Sequence, residues 1–194
     1  MTKVAIVDYG SGNIRSIQFA LNRLGVKGVL SDDPDLIRSA EKVIFPGVGQ
    51  ASYAMDNLKS RGLDKIIPTL SQPVLGICLG MQLMCLKTEE RDTEGLGIFP
   101  LEVLRFPSGL NVPHMGWNAL DKVDNILKNP SIERGYAYFV HSYYVPLSPY
   151  TIAQTSYGLP FSAALQKDNF YACQFHPEKS GDLGEQILFN FLEL

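Results

Sequence analysis

The chain has 194 residues, 45% of them hydrophobic, and its 17 Lys+Arg against 20 Asp+Glu leave a formal charge of −3. A chain this long is expected to form one domain over 1–194 and to bury roughly 70% of its unfolded surface, a core that needs no metal or disulfide staples. Mild acidity, with no basic stretch beyond two adjacent residues, argues against a phosphate-neutralising surface and hence against a nucleic-acid partner.

Cys78, Cys85 and Cys173 are the only cysteines. Their odd number and lack of CxxC spacing exclude a disulfide scaffold, and neither metal nor cofactor is expected. The apolar runs are strand-length, and MTKVAIVDYG lacks the regions of a secretory signal, so the expectation is a cytoplasmic chain with no membrane partner.

KVAIVD opens the pattern as a continuous apolar run, the signature of a strand buried on both faces. From Asn13 to Leu24, Ile14, Ile17, Phe19, Ala20, Leu21 and Leu24 recur near a helical period, with Gly25 as a stop. VKGVLSDDPD predicts a strand and turn, DLIRSA a short helix, and KVIFPGVG a strand entering a glycine loop. Ala51 to Leu70 reads as one or two helices broken near Gly62. PVLGIC is the next strand, and LGMQLMCLK a helix directly behind it. Such alternation predicts an α/β fold, a doubly wound and mostly parallel sheet flanked by helices. In the second half LEVLRF, YAYFV, TIAQTSY, FSAALQ and YACQF are short, β-branched or aromatic, and read as added antiparallel strands. The helix GEQILFNFLEL closes the chain.

Gly76-Ile77-Cys78-Leu79-Gly80 places one nucleophilic residue between glycines at a strand-to-helix junction. This is the pattern of a nucleophile elbow, whose sharp turn tolerates only small neighbours and lifts the side chain out at the carboxyl end of the sheet. The helix start behind it favours thiolate, and the N–H of Leu79 suits an oxyanion. A cysteine in an apolar stretch is ordinarily a small buried hydrophobe, the reading adopted for Cys85 and Cys173. A thiol nucleophile needs a base, and the base an acceptor behind it. Only His114, His141 and His176 are available. Of these, His176 alone has a nearby carboxylate, Glu178, in QFHPE; the other two read as hydrogen-bonded structural or interface histidines. Gly47 and Gly49 flank Val48, so that peptide can turn its N–H toward the site and complete an oxyanion hole with Leu79. Gln82, one helical turn after Cys78, can face the same mouth. GSGN matches neither GxGxxG nor GxxxxGK[ST], and a nucleotide-binding reading is rejected.

With these residues in view, GICLGMQ followed by HPE at 176–178 resembles the class I, triad-type glutamine amidotransferases. The resemblance implies that Cys78 attacks the carboxamide of L-glutamine, His176 acts as general base and then acid, Glu178 orients it, and water releases glutamate from a thioester. DYGSGN at 8–13, FPGVG at 45–49, PHMGWN at 113–118, YFVHSY at 138–143 and HPEKSG at 176–181 narrow the likeness. They resemble the glutaminase subunits of imidazole glycerol phosphate synthases, over essentially the whole chain. Glutaminases that feed vitamin B6 synthesis carry a Gly-Gly-Glu-Ser type sequence in place of PGVG.

The resemblance further implies a glutamine pocket formed by Gly47, Gly49, Gln82, Glu90, Ser142 and Tyr143, and an oxyanion segment around Val48 that changes between inactive and active forms. Ammonia released into water is mostly protonated, so a glutaminase without an acceptor site implies a second chain. In this family that chain is a (β/α)8 cyclase subunit, which takes ammonia through a channel and makes imidazole glycerol phosphate in histidine biosynthesis. Asn13, His114, Trp117, Tyr138 and Lys179 are the expected interface or gating positions. Trp117 is equally compatible with a core site from composition alone. Three alternatives remain at this stage: a paralogous glutaminase serving surface-sugar biosynthesis, a hydrolase of another γ-glutamyl compound, and a non-catalytic redox sensor using Cys78.

Overall fold

A computed structural model describes residues 3–124 and 135–194. In chain order the elements are β1 (Val4–Val7), α1 (Ile14–Arg23), β2 (Gly28–Ser31), α2 (Pro34–Arg38), β3 (Lys42–Phe45), α3 (Ala51–Ser60), α4 (Leu63–Ile66), β4 (Val74–Ile77) and α5 (Leu79–Met84). They continue with β5 (Cys85–Thr88), β6 (Thr93–Glu94), β7 (Phe99–Arg105), β8 (His114–Ala119), β9 (Tyr136–His141), β10 (Tyr143–Tyr144), β11 (Thr151–Ser156), β12 (Pro160–Lys167), β13 (Phe170–Cys173) and α6 (Gly181–Leu192).

The main sheet has seven strands in the order β11-β12-β13-β4-β3-β1-β2. β2, β1, β3, β4 and β13 run parallel, while β12 and β11 are added antiparallel. A four-stranded sheet (β10-β7-β5-β6) and the antiparallel pair β8–β9 stand apart from it. Apolar residues on both faces explain the continuous runs read from the sequence. Val4 and Ile6 of β1, Ile44 of β3 and Ile77 of β4 face one core together with α1 and α6. Ala5, Val7, Val43, Phe45 and Val74 alternate with them and face the other, with α2 to α5. Each buried aliphatic side chain of this kind contributes about 1.5–3 kcal/mol.

Three local expectations are corrected. The helix behind PVLGIC ends at Met84, and Cys85–Thr88 is a strand. The amides of Leu96 and Gly97 bond to the carbonyls of Leu83 and Cys85, and Gly95 N–H takes that of Leu86, so these carbonyls are captured by a returning loop. YACQF is not a wholly antiparallel addition: β13 pairs antiparallel with β12 but parallel with β4, which brings Cys173 opposite Ile77. Phe19, counted in the helical period, is 63% exposed, whereas Ile17, Ala20 and Leu21 make the buried stripe of α1. The helix break near Gly62 is seen, with that residue at φ 68° between α3 and α4.

Candidate active site

Cys78 occupies the junction between β4 and α5 at φ 53°, ψ −107°, a left-handed conformation for a residue with a Cβ. Such backbone costs on the order of 1–3 kcal/mol and persists only where the surroundings impose it. The surroundings here are the sheet itself. Cys78 N–H bonds to the Cys173 carbonyl of β13 at 2.8 Å, and a Cβ added at Gly80 would lie 2.0 Å from the Phe45 carbonyl oxygen at the end of β3. The helix can approach β3 this closely only because Gly80 has no side chain.

A cavity of about 290 Å³ opens over the sulfur, near the lower end of the range for small-molecule sites. Its lining includes Val48, Gly49, Cys78, Leu79, Gln82 and Glu90 from the first half of the chain. Ser142, Tyr143 and His176 come from the second half. Of the expected pocket residues, Gly47 is not in the lining but packs directly behind it. A Cβ there would meet Gly80 N at 2.6 Å and the Tyr9 hydroxyl at 2.7 Å. Glu90 lies in a 3-10 turn after β5, not along α5, and its Oε2 accepts from Ala51 N–H at 2.7 Å at the start of α3.

His176 follows β13 and enters the 3-10 turn Pro177–Lys179, which brings Glu178 back against it. Glu178 Oε1 lies 2.8 Å from His176 Nδ1, and both side chains are buried. The turn is sewn to β9: His176 N–H donates to Tyr138 O, the Ser180 hydroxyl donates to His176 O, and Tyr138 N–H donates to Ser180 Oγ. The other ring nitrogen, Nε2, is buried and has no hydrogen-bond partner of good geometry among the described residues. Burial opposes a charge on this ring, but interactions with the Cys78 sulfur and with Glu178 outweigh it and raise the pKa from 6.5 to about 10. A pKa raised in this way favours the protonated imidazole, an arrangement that suits His176 to act as an acid beside a nucleophilic sulfur.

Neither expected oxyanion donor is free. Val48 N–H donates to Ser11 Oγ at 3.3 Å, while the same hydroxyl donates to the Val48 carbonyl. Leu79 N–H donates to the Gly47 carbonyl at 3.3 Å. Gly47 C=O and Val48 N–H are opposite ends of one planar peptide. Turning that plane over would take the oxygen away from Leu79 and bring the Val48 N–H to its side, freeing both donors together.

The expected interface positions separate into two groups. Trp117 is 57% exposed, so it is not a core residue, and it meets Tyr138 edge-on at 6.0 Å across the β8–β9 register. Lys179, also exposed, holds its Nζ 5.9 Å from the Tyr138 ring centroid. Asn13, half-buried, stands at the N-cap position of α1 without a side-chain cap hydrogen bond, next to Gly12, where a Cβ would touch Pro46 at 3.1 Å. His114 is only 4% exposed, which fits the structural reading of this histidine and not the interface one. It stacks on Tyr157 and Phe139 and bonds to His141 through Nδ1 at 3.1 Å.

Sequence reasoning passed over Ser11 and Gln174. Ser11 lay inside the glycine turn that was dismissed as a nucleotide site. Gln174 carried a readable signal, a polar amide within the wholly apolar run YACQF. Its Nε2 approaches the Cys78 sulfur at 3.7 Å and its Oε1 accepts from Gln82 at 2.9 Å.

Comparison with known proteins gives consistent likenesses. Residues 5–194 match the family described as "Glutamine amidotransferase class-I". The chain is 55% identical over 195 residues to "Imidazole glycerol phosphate synthase subunit HisH" of Bacteroides thetaiotaomicron, covering 99% of this chain and 100% of that protein. It is 47% identical to the protein of the same description in Escherichia coli, covering 98% and 99%. Among solved structures it is similar to one described as a glutamine amidotransferase, with TM-score 0.78 and 19% identity over 98% of this chain and 97% of that one. The structure of PurLQS from Thermotoga maritima gives TM-score 0.73 at 17% identity, covering 99% and 98%. At these identities the two structures speak for the fold.

Proposed function

The chain belongs to the class I glutamine amidotransferase family, and from that premise we propose that it is the glutaminase subunit of an imidazole glycerol phosphate synthase, acting in histidine biosynthesis. The observation that carries the chemistry is the strained Cys78 elbow in a cavity with His176, whose Nδ1 is held 2.8 Å from Glu178. The near full-length identity to relatives named as synthase subunits carries the pathway.

In this reading the Cys78 sulfur adds to the carboxamide carbon of L-glutamine, forming a tetrahedral oxyanion. His176 passes its proton to the nitrogen, the C–N bond breaks, and ammonia leaves a γ-glutamyl thioester. The neutral imidazole then takes a proton from water as the water oxygen attacks the thioester carbon. Collapse expels sulfur and returns glutamate. Glu178 keeps Nε2, not Nδ1, directed at sulfur and stabilises the imidazolium. Val48 and Leu79 would supply the oxyanion donors once the Gly47–Val48 peptide has turned. Gln82, Glu90, Ser142 and Tyr143 would hold the amino acid end of the substrate.

The free ammonia must be passed on, and the likeness to the synthase subunits gives the partner as a cyclase subunit with a (β/α)8 barrel. Trp117, Tyr138 and Lys179 form the outward row suited to meet it. The His176 turn is clipped to Tyr138 through its backbone, which gives the partner a short path to the catalytic base. A redox sensor would not need the buried His–Glu pair. Glutamate release measured with purified chain, alone and with a cyclase subunit, tests the proposal. A strong rise with partner and a loss of about 10⁴-fold or more in Cys78→Ala are expected; undiminished release in that variant would overturn the assignment.

A further inference from the structure

We propose that Gln174 is a further residue of the catalytic site, donating its side-chain amide to the Cys78 sulfur, and that it is aimed there by Gln82 from a fixed reference point, the Tyr143 carbonyl. The inference deepens the reading of Cys78 as nucleophile and rests on it.

Gln174 has no solvent exposure and sits one residue past β13, between the nucleophile and its base in the parallel sheet. Its Nε2 lies 3.7 Å from Cys78 Sγ, within range for a donor to sulfur. Which end of an amide faces a neighbour is settled by the groups around it. Here one carbonyl settles it. The Tyr143 oxygen can only accept, so Gln82 must present Nε2 to it, at 3.0 Å. The same Gln82 nitrogen lies 2.9 Å from Gln174, which must therefore offer Oε1 in return. That leaves the Gln174 amino group, and not its oxygen, against sulfur.

The reference carbonyl is itself held from the opposite side. His141 Nδ1 lies 2.7 Å from the Tyr143 oxygen and must be the protonated nitrogen. Its Nε2 then accepts from His114 Nδ1 at 3.1 Å, and His114 Nε2 from Asn118 Nδ2 at 3.4 Å. Both rings must be neutral for this sense of bonding to exist, since a second proton on His141 would set donor against donor. Burial enforces this: it lowers the His141 pKa to about 3 and depresses that of His114. A single directed chain thus runs inward from Asn118 on β8 to the Tyr143 carbonyl, which is met from the inside by Gln82, itself bonded to Gln174 and through it to the Cys78 sulfur.

The charged state around the sulfur makes the last link count. Tyr9, His141, Cys173, His176 and Glu178 are the titratable groups whose fields bear on Cys78 or on its histidine. Burial keeps the Tyr9 and Cys173 protons on and keeps His141 uncharged. His176 on one side and the Gln174 amide on another are then the donors that face a developing thiolate. Hydrogen bonds to charged acceptors are the strong ones.

The test is the rate of Cys78 alkylation by iodoacetamide in the free chain across pH 6–9, located by mass spectrometry. Cys85 and Cys173 should remain silent, because burial pushes the first up to about 12 and the second well above the ordinary thiol range. Gln174→Met removes the donor at nearly constant volume; its rate at pH 7 should fall about tenfold and its profile move to higher pH. Gln174→Glu puts a carboxylate there and should fall further. Folded variants, verified by circular dichroism, that alkylate within about twofold of the unaltered chain would overturn the proposal. Where neither Gln174 variant folds, Gln82→Met leaves the donor present but unaimed, and should slow alkylation by about threefold; no change there would equally overturn it. Failure of the broader reading looks different: glutamate release would survive Cys78→Ala, whatever the alkylation profiles.

Discussion

On the β4–β13 side of the cavity the sulfur, the imidazole and the carboxylate behind it are all in place, with Glu178 2.8 Å from His176 Nδ1. On the β3 side the two amides suited to an oxyanion are bonded elsewhere, Val48 to the Ser11 hydroxyl and Leu79 to the Gly47 carbonyl. The first wall is built into parallel strands, where Cys173 and Ile77 are register partners and neither can shift without the ladder. The second is a loop leaving the end of β3, held by a few hydrogen bonds worth about 1 kcal/mol each. The proposed nucleophile and base are thus fixed by the sheet, while stabilisation of the transition state would be left to one peptide plane. On the proposed reading, a site divided this way would keep its thiol ready and its glutaminase rate low until something turns the peptide.

The difference between the walls can be broken from the finished side. Glu178→Gln should reduce partner-stimulated glutamate release by about a hundredfold, within the range for general acid–base assistance, with little change in KM. An unaltered kcat would mean that Glu178 does not orient the base. The same pair should leave a mark on stability. A histidine whose pKa is raised in the fold contributes stability that is full below its unfolded value of 6.5 and is lost as pH rises through about 10. Urea unfolding of the unaltered chain and of His176→Asn should therefore differ most near pH 6, and the difference should shrink steadily as pH rises through about 10. A constant gap across that window would show that the imidazole is not held protonated. The smallest effect sharpens the comparison from the unfinished side. Ser11→Ala removes the hydroxyl that grips both ends of Val48, and glutamate release without partner should rise roughly fivefold. The partner-stimulated rate should stay nearly level. An unchanged basal rate would show that the clasp does not hold the peptide.

Local chemistry was legible in the sequence where it depends on neighbours in the chain. The small residues around Cys78, the carboxylate two places after His176, and the alternation of apolar strands with helices all follow from short-range sterics and burial. What required long-range pairing was not legible. Helix α5 gives way to β5 at Cys85, where the carbonyls of Leu83, Cys85 and Leu86 are claimed by the 95–97 loop, and β13 is parallel to β4 although nearly a hundred residues separate them in the chain. Glu90 reaches the cavity from a 3-10 turn after β5, a placement that no local periodicity marks. For His114 the pattern left a structural and an interface role both open; strand alternation turns it inward while Met115 and Trp117 face out. Gln174 shows the reverse case, a buried amide in an apolar strand that the pattern itself marks as needing partners.

The contact between Gly80 and the Phe45 carbonyl has a consequence for anyone rebuilding this site. No side chain cushions α5 from the end of β3, so the backbone that aims the nucleophile is gauged directly against the backbone that launches the Gly47–Val48 peptide. The smallest transplantable module is therefore not the elbow motif but the adjoining pair β3–β4 with both of its exits, carried as one rigid piece.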